Sequence, residues 1–196
     1  MNQELDKKLV EKYPAIFANR YSSPQDSAMS WGFDCGDGWF NIIDQLCSNI
    51  TGHIESIIRA NEWLEKELRN RERAANGDWG FLYEGHREDS YYLKWLEKEE
   101  NLQNEKQRYI NPLNINFQEV PHVVADQVKE KFGTLSFYYS GGDEYIRGMV
   151  RMATSMSSRI CEECGSLGRT RSSGWIRTLC DRHAEEFNYG VNDDYE

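Results

Sequence analysis

An α+β fold, a small antiparallel sheet packed with helices, is what this sequence predicts, and three observations carry the expectation. Apolar residues recur at helical spacing in four stretches: near the start, between Asp37 and Arg73, between Ser90 and Ile110, and from Ile146 to Met156. They alternate at strand spacing over Leu113–Phe117 and Leu135–Tyr139. Near the end, four Cys and His residues form two close pairs.

Leu5, Leu9 and Tyr13 give residues 3–13 one apolar face, and Pro14 ends that helix. Asn19 to Asp37 is rich in Ser, Pro, Gly and Asp but also holds Tyr21, Met29, Trp31 and Phe33. A flexible linker would not carry so many large apolar groups, so an ordered loop pinned to the core is expected. Asp37 stands where a carboxylate can accept the free N–H groups of a helix's first turn. Ile43, Leu46, Ile50, Ile54, Ile57, Leu64 and Leu68 then mark a long core-facing stripe, with Gly52 as a candidate kink and Asn76-Gly77 as the stop. A second helix is expected from Asp89-Ser90 to Ile110, closed by Asn111-Pro112. These two helices, spanning about residues 38–110, form the predicted protruding helical hairpin. Trp79, Phe81, Leu82 and Tyr83 between them either cap the hairpin or form a sticky tip.

From Leu113 the period changes. Leu113, Ile115 and Phe117, then Val124, Val128 and Phe132, then, after Gly133-Thr134, Leu135, Phe137 and Tyr139 predict a meander of about three antiparallel strands. Gly141-Gly142-Asp143 reads as a turn and N-cap for a helix carrying Ile146, Met149, Val150, Ala153 and Met156. That helix runs into the first cysteine without a linker. The expected division is therefore an α+β body over 1–158 and a finger with an acidic tail over 159–196, the finger packed on the body.

The finger is the firmest motif. Cys161-x-x-Cys164 and Cys180-x-x-His183 supply four N/S donors, the set a tetrahedral zinc ion takes, with fifteen residues between the pairs. Gly165 and Gly168 suit a turn after the first pair, Gly174 a hairpin, and Cys180 to Glu186 a helix start. Turn, hairpin and helix in that order predict a treble-clef-like zinc finger. Four filled positions leave none for a water, which makes the role structural. An HNH-type nuclease needs a further histidine base, and none follows His183.

The remaining candidates are weaker. Asp34-Cys35-Gly36-Asp37-Gly38 lacks the lysine of a P-loop and the ligand spacing of an EF-hand, and reads as a turn before a helix. Cys47 falls on the long helix as a core thiol, and no spacing links Cys35 to His53 or His122 as nucleophile and base. His86, among charged residues, reads as exposed.

A net charge of −10 disfavours a general DNA- or membrane-binding surface. The charge is uneven, however. Arg147 to Arg182 holds seven arginines against three carboxylates, a local excess of four, so the rest of the chain carries −14. Around the finger, Arg169, Arg171 and Arg177 read either as solvated charges or as phosphate contacts. No apolar run approaches the ~20 residues of a membrane span. The first residues show no signal-peptide core, so a cytoplasmic protein is expected, where paired cysteines hold metal rather than form disulfides.

Three blocks together carry a resemblance: Trp31-Gly-Phe-Asp-Cys-Gly-Asp-Gly-Trp-Phe40, Gln127-Val-Lys-Glu-Lys-Phe-Gly-Thr-Leu135, and the Cys161/Cys164 and Cys180/His183 pairs with Gly165 and Ala184. The chain resembles a group of uncharacterised small bacterial and prophage proteins with a C-terminal treble-clef-like finger. The likeness covers about a third of the chain and omits the helical stretch of about 60–110. It implies a protein of a bacterial or phage-infected cell and assigns no catalytic residue. The expected function is a non-enzymatic, zinc-stabilised factor that binds another protein, in one form a phage-encoded inhibitor of a host defence or nucleic-acid enzyme. The alternative is nucleic-acid binding through the Arg-rich finger. A third reading is an enzyme using Cys35 or the Asp34/Asp37 pair. A homo-oligomer, through the helical pair or otherwise, stays open.

Overall fold

Asn2 opens α1 (Gln3–Lys12) by accepting the Leu5 N–H at 3.0 Å, and Leu9 and Val10 turn into the core. The computed structural model describes residues 1–172 and 174–189, so the expected acidic tail lies outside the described residues. The loop that follows α1 is ordered as expected, in short 3-10 turns. Met29 and Phe33 are buried, while Tyr21 and Trp31 lie outside.

The meander expectation is corrected in one strand. Residues 113–117 form no strand; the third place in the sheet goes to the two-residue β1 (Phe33–Asp34). The order is β1-β2-β3, with β2 (Val123–Lys131) central. β1 runs parallel to β2, pairing Phe33 with Val128, and β3 (Thr134–Gly141) runs antiparallel to it. A bulge between Ala125 and Gln127 shifts the register. Val123 and Ala125 are buried before it and Val128 after it, an odd-to-even switch that alternation cannot anticipate. Phe132 (φ 52°) and Gly133 (φ 76°) close the hairpin, both in the left-handed region that a two-residue turn of this hand requires.

α2 (Phe40–Ala75) continues through Gly52. Asp37 does not cap it. Its carboxylate accepts the backbone and side-chain N–H groups of Asn2 at 2.7 and 2.6 Å, and residues 37–39 form a 3-10 turn instead. Asp143 does cap α5 (Glu144–Ser157), accepting the Ile146 N–H at 2.9 Å. α5 is stitched to β3: Thr154 Oγ1 donates to the Leu135 carbonyl at 2.9 Å, and the Leu135 N–H donates to Ser157 Oγ at 2.8 Å. Trp39, Ile43, Ile50, Val128, Leu135 and Ile146 meet in one core with α1 and the sheet.

The compact units do not divide at 158/159. One comprises Met1–Ile54 and the chain from Pro121 onward, finger included; the other is Glu55–Val120. In the second unit the expected single helix is two, α3 (Tyr91–Leu96) and α4 (Glu99–Ile110), with Ser90 accepting the Leu93 N–H at 3.2 Å. Ala74, Phe81, Leu82 and Leu96 form its small core, so most of the aromatic loop caps the pair. On α2, Glu67 and Arg71 meet Arg108 and Tyr109 near the end of α4. Among the described residues no helix is long and apolar enough to cross a membrane.

Candidate metal centre

The finger is a knuckle, a hairpin and a short helix. Residues 161–165 turn back on themselves, with the Gly165 N–H donating to the Cys161 carbonyl at 2.9 Å. β4 (Arg169–Arg171) and β5 (Arg177–Leu179) pair antiparallel, and α6 (Asp181–Glu186) begins immediately after Cys180. Cys180 and His183 are three apart at that helix start, so both face the knuckle.

The four predicted ligands come together. Their donor atoms lie within 4.8 Å of one another. Cys161 Sγ is 3.3 Å and Cys180 Sγ 3.4 Å from His183 Nδ1, and Cys164 Sγ is 3.9 Å from Cys180 Sγ. Tetrahedral bonds of zinc-like length place sulfur–sulfur edges at about 3.8 Å and sulfur–nitrogen edges at about 3.6 Å. The donor set therefore fits one metal ion, with Cys161 and His183 buried and Cys164 at the surface.

The local field favours thiolates at part of the set. Burial pushes the Cys161 thiol up to about 11, against backbone N–H groups of Cys180, Cys164 and Glu163 that point at its sulfur. The Ser166 hydroxyl draws Cys164 down to about 6. A cation at the centre supplies the attraction that a buried Cys161 thiolate otherwise lacks.

The stretches around Gly36–Trp39 and Gly133 are the seat of this centre. The Gly38 N–H donates to the Glu162 carbonyl at 2.7 Å, the Gly36 N–H to Glu162 Oε1 at 3.0 Å, and Trp39 Nε1 to the Ile160 carbonyl at 2.8 Å. A Cβ on Gly38 would stand 2.2 Å from the Cys161 oxygen and 2.4 Å from the Gly165 nitrogen; one on Gly36 would meet the Glu162 oxygen at 2.3 Å. Backbone lies against backbone there, which only glycine permits. Beneath the hairpin, Thr178 Oγ1 donates to the Gly133 carbonyl at 2.6 Å. The stretch read as a plain turn is thus the socket of the knuckle, and nothing in the local spacing of Gly36 and Gly38 points to a partner more than 120 residues away.

No known protein family, characterised protein or solved structure matches the chain.

The three arginines have separate fates. Arg171 is 1% exposed and its guanidinium pairs with Asp181. Arg177 lies between Glu162 and Glu163 and over the Phe187 ring at 4.7 Å. Arg169 reaches the same Asp181 oxygen at 3.4 Å from a half-exposed position. Arg171 is thus held inside the finger by Asp181 rather than presented to solvent, with its Nε buried and without a hydrogen bond.

Of the other candidates, Asp34 and Cys35 fall together, while Asp37 and His53 have partners elsewhere. Burial raises the Cys35 thiol to about 12. Asp34 and Cys35 border a cavity of about 640 Å³ that Glu130, Glu162 and Trp175 also line, but Asp37 is held by Asn2. His53 instead meets Asp143, Nε2 to Oδ2 at 2.7 Å, and stacks on Tyr145. Ninety residues separate that pair in the chain, and the sequence carries no signal for it.

Proposed function

We propose that the protein is a zinc-stabilised, non-enzymatic factor that acts by binding another protein. The observation that carries the metal half is the closed Cys161/Cys164/Cys180/His183 tetrad. Three sulfurs and an imidazole suit zinc and are poor ligands for magnesium or calcium, and four protein donors leave no open position for a reacting water. The role this supports is structural: the ion joins the knuckle to α6.

The binding half is supported by surface chemistry. Trp175 is 71% and Phe132 70% exposed, on a chain whose charge of −10 suits a basic partner. In its finer form, an acidic protein of prophage type occupies the nucleic-acid groove of a host defence or nucleic-acid enzyme. The nucleic-acid-binding reading has less support, since Arg171 and Arg177 are spent on the finger's own carboxylates.

Elemental analysis of the purified protein tests the metal half: zinc near one ion per chain is expected, and its absence overturns the reading. Binding to purified basic-groove enzymes at low and moderate salt tests the partner half. Failure to retain any of them, beside a salt-sensitive gel shift lost on Arg169→Ala, would transfer the function to nucleic acid.

A further inference from the structure

Residues 112–120, Pro-Leu-Asn-Ile-Asn-Phe-Gln-Glu-Val, have the pattern of a strand without the pairing of one. Leu113, Ile115 and Phe117 alternate with Asn114, Asn116 and Gln118, yet no strand is assigned there. Among the described residues, the backbone N–H and C=O groups of 113–117 have no hydrogen-bond partner. Ile115 remains 43% and Phe117 45% exposed. An alternating apolar segment with open backbone groups is a template for another strand.

One residue farther on, the protein already imitates such a neighbour. The Asn61 side chain donates to the Gln118 carbonyl at 2.7 Å and accepts the Gln118 N–H at 3.0 Å, the exchange that an antiparallel strand makes. In an extended segment Gln118 presents its backbone groups on the edge opposite to residues 113, 115 and 117, so Asn61 leaves that second edge open.

We propose that a second copy of this chain fills the gap, by antiparallel pairing of residues 113–117 about a twofold axis through Ile115. The segment is its own complement in that register. Ile115 faces Ile115 of the second copy, Leu113 faces Phe117, and Asn114 faces Asn116, so apolar meets apolar on one side and amide meets amide on the other. No charge lies within 112–118, and Glu119 falls opposite Asn111 rather than another carboxylate. A parallel pairing would set Glu119 beside Glu119. This register therefore avoids like-charge repulsion, although each chain carries −10. The pairing involves neither the metal tetrad nor the helix–helix contacts.

Sedimentation velocity of the full chain across a wide concentration range should show a reversible monomer–dimer equilibrium. Ile115→Pro removes the central donor and should weaken association by about tenfold or more, with metal content and circular dichroism unchanged. Ile115→Cys should form an intermolecular disulfide under mild oxidation beyond the wild-type background. Leu113→Cys alone should not, but should cross-link when mixed with Phe117→Cys. A chain that stays monomeric throughout overturns the proposal. So does a dimer that survives Ile115→Pro while Ile115→Cys fails to cross-link, because its interface then lies elsewhere.

Discussion

The knuckle and its socket are held by backbone, whereas the helical unit Glu55–Val120 is held by side chains. At the knuckle, Gly36 and Gly38 bring two main chains into direct contact, and the Cys161/Cys164/Cys180/His183 cluster draws the ends together. In the helical unit six apolar residues are buried, four of them in one small cluster, and a network of charged side chains lies beside it. Arg71 donates to the carbonyls of Arg108, Tyr109 and Asn111, while Glu67 pairs with Arg108. That network is imperfect: Glu67 Oε2 and Arg71 Nε are buried without a hydrogen bond. Contacts fixed by main chain tolerate little change. Contacts made by long charged side chains cost entropy and desolvation, so the helical unit should open first.

Four measurements would break or sharpen this contrast. Cys161→Ser should have the largest effect, abolishing metal binding and costing the finger about 5 kcal/mol or more of local stability, read by limited proteolysis and metal content. Amide exchange over residues 91–110 should be unchanged in the same variant; coupled loss there would refute the separation.

Gly38→Ala follows, at about 3 kcal/mol, because its Cβ meets backbone that cannot rotate away. Gly52→Ala is the control within the same unit. Its Cβ has open space, and alanine in a helix interior should stabilise by about 1 kcal/mol in thermal unfolding. Equal effects at the two glycines would remove the close-approach argument.

Arg71→Ala should cost about 2 kcal/mol, confined to the helical unit. Hydrogen exchange should show α4 amides losing protection with metal content intact. The smallest effect concerns pH. Burial works to raise the Asp143 carboxyl, but hydrogen bonds from His53 and the Ile146 N–H outweigh it and hold the carboxyl below its usual range. Asp78 and Glu84 of the helical unit are held low by Arg73. A carboxylate with a depressed folded pKa contributes stability that is present above its unfolded value. That stability is lost as pH falls through the folded one. Acid titration below about pH 4 should therefore weaken α5 by a few tenths of a kcal/mol through Asp143, and Asp143→Asn should flatten that part of the curve.

Much of this was legible in the chain. The two ligand pairs were readable because metal donors must be close in sequence when they share a turn. The caps at Ser90 and Asp143, the stop at Asn76-Gly77 and the long α2 stripe were readable because a helix end is satisfied by residues within a turn of it. The strand at 113–117 was misread for an equally physical reason. Alternation reports only what a segment's faces prefer, and a strand also needs a neighbour for its backbone. Neither does alternation reveal a two-residue parallel strand such as β1, or a bulge that inverts the faces of β2.

The sequence by itself determined the α+β class, the ligand tetrad and several helix ends, those at Asn76-Gly77 and Asp143 among them, all of which rest on interactions a few residues long. Only the tertiary structure decided what Gly36, Gly38 and Trp39 serve, that Arg171 is buried scaffold, and that His53 finds Asp143. Those pairings close over 90 residues or more, or depend on desolvation, and burial is a property of the packed chain rather than of any stretch of it.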